Sequence, residues 1–199
     1  MRRCAPIARS DQLARGSAAA RLRRAALGLA RARDGATAVE FAMVALPFFA
    51  LLFGILELAM LFMVSTSLDN ATAVAGRTIR TGQMQTGGSP SAGSFKTAIC
   101  NGLGWLEGEC GSNLHVDVRK YPTFAGIQQL TPISNNTVNT GTFTFDPGCA
   151  GDIVVVRTYY QWTLFTPLLS GAVATLDGGK ILVSSTLAFR NEPYATTCP

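Results

Sequence analysis

Between Phe41 and Val64 the only ionisable side chain is Glu57. Those 24 residues rise about 36 Å as an α-helix, more than the roughly 30 Å of a bilayer's hydrocarbon core. Such a run is expected to anchor the chain in a membrane, and the rest of the chain has to be organised around it. A carboxylate at this depth costs roughly 1 to 3.5 kcal/mol. Glu57 within the run and Glu40 at its mouth therefore each call for a partner or a function.

Charge gives the anchor a direction. Of the 17 Lys and Arg residues, nine arginines fall in residues 1–35, against only Asp11 and Asp34. That segment carries +7 and the remainder −2, which together make the formal +5. The basic character belongs to a leader, and its arginines are not interleaved with aromatics, so no nucleic-acid partner is expected. By the positive-inside rule the leader stays in the cytoplasm and the C-terminal region lies outside. Residues 21–33 have the composition of an amphipathic basic helix near acidic lipid, and the Arg-rich start also resembles an organelle-targeting segment. Ala73-Val74-Ala75 mimics a signal-peptidase site, but the apolar run is too long for a secretory h-region.

Three blocks carry a resemblance. Gly35 followed by Glu40, Phe41 and an apolar helix resembles the processing site of type IV pilin-like precursors. More closely, Ala38-Val39-Glu40-Phe41-Ala42, then Phe53-Gly54-Ile55-Leu56-Glu57, then Phe189-Arg190-Asn191-Glu192-Pro193-Tyr194, is similar to the TadE/TadG family of minor pseudopilins of the tight-adherence (Flp) pilus system. The resemblance implies that a prepilin peptidase cuts after Gly35 and frees the amine of Ala36. It also implies other pilin-like subunits as partners, in an inner membrane crossed once.

The remaining cysteines fit an external head. Cys4 is in the leader, and Cys100, Cys110, Cys149 and Cys198 form an even set where disulfides persist. Of three possible pairings, Cys100–Cys110 is favoured as a short local staple, with Cys149–Cys198 tying down the chain's end. A zinc site is the competing reading, but there is no C-x-x-C pair and His115 is the only histidine. No metal or other cofactor is expected.

The expected organisation is a basic cytoplasmic leader over 1–35, a transmembrane helix and its extension over 36–82, and an extracytoplasmic head over 83–199. Leu68, Ala71, Ala75 and Ile79 recur at helical spacing, which carries the helix past the membrane to about Thr81. Gly82 and the Gly/Ser/Gln-rich stretch Gln83 to Ser94 read as a flexible connector, and a short helix is expected from Phe95 to Leu106. Strands are expected over Leu114–Tyr121, Gly141–Phe145, Ile153–Leu164 and Ile181–Phe189, the last opened by the turn Asp177-Gly178-Gly179. The fold class is thus α+β: one long N-terminal transmembrane helix, then a small antiparallel, disulfide-stapled β-rich head, pilin-like in outline.

No catalytic constellation is expected. His115 shares a strand face with Asp117, an alternation that ordinarily marks a solvated side. Glu107 and Glu109 read as surface charge on a loop, and Gly178-Gly179-Lys180 lacks the rest of a phosphate loop. The apolar helix has two readings. As a lone anchor it leaves Glu57 to snorkel and Pro47 and Gly54 to make a tolerated kink. As a packing helix it uses Ala38/Ala42 and Ala50/Gly54, small residues four apart, and aligns Glu40, Pro47 and Gly54 on one face. The second reading assigns subunit pairing to Glu40 and Glu57. The sequence therefore points to a non-enzymatic pilus-assembly component with no small-molecule substrate. The alternatives are an uncleaved signal-anchored periplasmic binding domain and a signal-anchored hydrolase.

Overall fold

The computed structural model describes residues 35–87 and 90–194. The leader with Cys4, and Cys198, lie outside the described residues. Helix α1 runs from Ala36 to Arg80. It is followed by α2 (Gln83–Thr86), α3 (Ala92–Gly102), α4 (Glu107–Asn113), β1 (Leu114–Tyr121), β2 (Ile133–Ser134), β3 (Thr137–Val138), β4 (Ile153–Thr163), α5 (Pro167–Val173) and β5 (Lys180–Arg190). The described chain forms two compact units that part between Leu52 and Phe53.

The first unit is the opening stretch of α1. Phe41, Met43, Val44, Leu46 and Phe48 are all more than half exposed, a surface that lipid solvates and water does not. Pro47 sits within the helix. It removes one backbone donor, a loss that membrane helices tolerate.

In the second unit α1 changes role. Val64, Leu68, Ala71, Thr72, Ala75 and Ile79 are buried, on the helical spacing expected from the sequence. They face a three-stranded antiparallel sheet of order β1-β4-β5. β4 is the centre of this sheet, and its apolar residues on both faces explain its near-continuous run of valines and aromatics. On the helix side Leu114, Val116 and Val118 of β1 align with Tyr160, Thr158 and Val156 of β4. The hydroxyls of Thr72 and Thr158 meet at 2.8 Å in this layer, so neither buried group is left unpaired. A Cβ on Gly76 would come within 3.1 Å of Leu187, which shows how closely the helix lies on β5. Phe95, Ile99, Leu103 and Leu106 from α3 and the turn after it complete the core.

Five local expectations are corrected. The helix expected over Phe95–Leu106 begins earlier, at Ala92, because Ser91 and Ser94 exchange side-chain and backbone hydrogen bonds in a capping box. It ends at Gly102, and Gly104, at φ 58, turns the chain into a short 3₁₀ segment. Glu107 and Glu109 are not on a loop but in the first turn of α4, where acidic residues are favourable. The Gln83–Ser94 connector includes one helical turn, α2.

The strand expected at Gly141–Phe145 is a 3₁₀ turn at Thr140–Thr142 and a single bridge from Phe145 to Val118. Its alternation is real but serves packing: Phe143 stacks on Tyr159, with centroids 5.3 Å apart, while Phe145 meets Phe95 at 5.9 Å. This long connection between β1 and β4 also covers the sheet's second face. The odd-numbered side of β1 is consequently covered in part: Asp117 is fully buried, while His115, Arg119 and Tyr121 keep some exposure.

Candidate functional site

Gly35 immediately precedes α1, Ala36 opens it, and both are exposed. A Cβ built on Gly35 would meet no described residue within 4 Å, so packing among the described residues sets no need for glycine there. Glu40 is exposed one helical turn later, with no ion pair to another described residue. Ala38 and Ala42 line a shallow apolar groove with Val39, Met43 and Leu46.

Glu57 is in a different environment. It is 4% exposed, and its two carboxylate oxygens accept the backbone N–H groups of Phe165 at 2.7 Å and Thr166 at 2.6 Å. Thr166 is the N-cap of α5 and Pro167 opens that helix. The carboxylate thus meets backbone donors that a helix start leaves free. Charge-assisted bonds of this kind offset the cost of burying a carboxylate. Nearby, a Cβ on Gly54 would lie 3.8 Å from Leu169. Glu57 is thus engaged by its own chain, with Leu169 near Gly54.

The terminal block Phe189–Tyr194 returns to the end of α1. Glu192 N–H donates to the Arg80 carbonyl at 2.9 Å, and the two side chains form an exposed ion pair at 3.3 Å. Asn191 is buried, and its amide nitrogen donates to the carbonyls of Pro147 and Cys149, both at 2.9 Å. Tyr194 lies over Gly82, where a Cβ would stand 2.5 Å from the ring. Gly82 also has φ 75, the left-handed conformation that ends a helix. Two of the three blocks singled out in the sequence therefore close on contacts within the head, and the partners of both were illegible in a linear reading.

Cys100 and Cys110 are joined, with Cα atoms 5.6 Å apart, across the corner between α3 and α4. Cys149 is also in a disulfide, while Cys198 lies outside the described residues. The groups that invite a catalytic reading are otherwise employed. Asp117 accepts from Arg119 Nε at 2.8 Å, Arg157 Nη1 at 3.3 Å and Thr144 N–H at 2.9 Å. Arg157 also reaches the Gln128 carbonyl at 2.6 Å. Together they tie the long connection to the sheet. The Nε2 of His115 lies 2.8 Å from the side-chain amide of Gln161. Burial, aided by Lys96, lowers its pKa below the ordinary histidine value. Among the described residues no three His, Cys, Asp or Glu side chains gather where a metal ion could be held. α1 is long and apolar enough to cross a membrane.

Residues 35–77 match the family model described as TadE-like protein. This is a TadE-like segment. It starts at Gly35, includes Ala36, Glu40 and Glu57, and stops just short of the end of α1. The cysteines and the terminal block lie beyond it. No curated protein and no solved structure matches the chain. The TadE-like match supports a structural component of a Tad pilus system, with a single-pass anchor as the fitting reading of α1.

Proposed function

We propose that the protein is a pilin-like component of Tad/Flp pilus assembly that acts by packing its helix against those of other pilin-like subunits. The observation that carries this is the TadE-like match beginning at Gly35, a glycine that packing among the described residues does not require. A requirement from outside the fold, namely recognition by a prepilin peptidase, accounts for it. Cleavage there makes Ala36 the new N-terminus. Its ammonium and the Glu40 carboxylate of a neighbouring subunit are two charges that lipid solvates poorly, and each offsets the other's desolvation when paired. The Ala38/Ala42 groove provides close approach for the partner helix. The pairing role falls to Glu40, because Glu57 is occupied within its own chain. In this reading the leader is cytoplasmic, the head is periplasmic, and Cys149 pairs with Cys198.

The test is the N-terminal sequence of the membrane-extracted mature protein, expected to begin at Ala36. Gly35→Leu is expected to leave the full 21.0 kDa species in the membrane. Normal processing of that variant would overturn the peptidase reading. An uncut N-terminus in the wild type would favour the uncleaved signal-anchored binding domain instead.

A further inference from the structure

The stretch from Thr158 to Leu176 contains no charged residue. It leaves β4, forms α5 and returns towards β5, and its exposed side is apolar: Phe165 is 66% exposed and Val173 43%. Trp105, 52% exposed, and Phe165 both pack edge-on against Trp162, at 5.9 and 5.4 Å. In a soluble domain such a charge-free aromatic patch would be a liability.

Its attachment point explains it. The segment is fixed to α1 at Glu57, through the N–H groups of Phe165 and Thr166, with Leu169 lying beside Gly54. Gly54 and Glu57 lie inside the apolar run that continues to Val64. The neighbouring α1 side chains Phe53, Ile55, Leu56, Leu58 and Phe62 are themselves more than half exposed. Whatever solvates these side chains also meets Phe165. Because the run exceeds the hydrocarbon thickness by only about 6 Å, or roughly four residues, Gly54 and Glu57 fall at or below the membrane surface. Tryptophan and phenylalanine are favoured at that level.

We propose that residues 164–174, with Trp105, form a second membrane contact, seated in the outer interface of the bilayer beside α1, and that Glu57 is the clasp that holds this segment at that depth. The proposal rests on α1 being a membrane anchor. It does not depend on peptidase cleavage or on pilus assembly. Lipid is favoured over a second protein as the occupant because the segment is held to α1 within its apolar run, where the exposed side chains Phe53, Ile55, Leu56, Leu58 and Phe62 call for the same apolar surroundings.

Trp105 and Trp162 are the only two tryptophans in the chain, so tryptophan fluorescence, excited beyond the tyrosine band, reports on this patch alone. The full chain is reconstituted at one copy per phosphatidylcholine nanodisc, with lipid brominated at shallow or deep acyl positions. Shallow bromines are expected to quench the emission more than deep ones, with iodide in the buffer having little effect. Phe165→Ser combined with Val173→Ser, both exposed sites, is expected to shift quenching from bromine towards iodide. Quenching by iodide and not by bromine, in protein that still resists alkaline extraction, would overturn the proposal while leaving the anchor standing. Release by alkaline extraction would instead overturn the anchor. Protection from iodide that appears only when several copies share a disc would also overturn the proposal, by assigning the patch to a neighbouring subunit.

Discussion

Glu57 and Thr166 stand 109 residues apart in sequence and 2.6 Å apart in space, joined carboxylate to backbone N–H. With the Phe165 N–H on the other oxygen, the bond fixes the start of α5 against α1. In Glu57→Gln one oxygen is replaced by an NH₂ that faces a backbone donor, so one hydrogen bond is lost and the other loses its charge. The expected loss is about 2 kcal/mol of head stability, given roughly 1.5–3 kcal/mol for a bond to a charged group. Denaturant unfolding in detergent measures it, and proteolysis within 164–174 should accelerate. An unchanged midpoint and cleavage rate would show that the clasp contributes nothing.

Glu40→Gln acts in another way. Glu40 is exposed and forms no ion pair with another described residue, so folding and insertion of the variant should match the wild type. If its carboxylate pairs with the Ala36 amine of a neighbour, removing the charge strands that amine at a cost of several kcal/mol. The expected phenotype is a stable, processed membrane protein that neither supports pili nor crosslinks to other pilin-like subunits. Wild-type piliation would reject the pairing.

Gly82→Ala should destabilise the head through two separable effects. The left-handed backbone costs about 1–2 kcal/mol for an L-residue, and the new methyl drives into the Tyr194 ring. Pairing it with Tyr194→Ala removes the collision but not the backbone cost. The double variant should therefore lose less than the sum of the singles in thermal unfolding. Simple additivity would mean that Tyr194 does not rest on Gly82.

His115 should make the head sensitive to mild acid. Burial lowers its native pKa from 6.5, so between the native value and 6.5 the unfolded chain binds more protons and stability rises with pH. The contribution is complete above about pH 6.5 and declines as the medium is acidified through that window. Lys96 on one side, and Asp177 and Lys180 on the other, are the charged groups around the ring. His115→Gln should flatten the unfolding midpoint below about pH 6.5. An equally steep profile would place the pH dependence elsewhere.

The long helix and the three sheet strands could be read from the sequence because their signals are local: an uninterrupted apolar run, the helical spacing of Leu68 to Ile79, and β-branched stretches in β1, β4 and β5. The Cys100–Cys110 staple was also legible, since two cysteines so near in sequence restrict the geometry. What escaped was set by distant partners. Asp117 looks like solvated strand polarity until the connection over 122–152 folds across it and Arg157 comes from β4. Glu57 looks like a residue awaiting another subunit until Phe165 and Thr166 reach it. The alternation of Phe143 and Phe145 imitates a strand because the two rings serve opposite faces of the sheet.

The burial of Val64 to Ile79 against the sheet bears on how this protein can be prepared for solution work. A recombinant fragment beginning at Gln83, where composition suggests that the head starts, would lack the element that fills one side of its own core, and the exposed valines and aromatics of β4 would favour precipitation. A start at Glu57 would retain the clasp on α5 but would carry Leu58, Phe62 and Met63 into water. Trimming the head therefore trades one apolar surface for another, and detergent or lipid is expected to be needed wherever the cut is made.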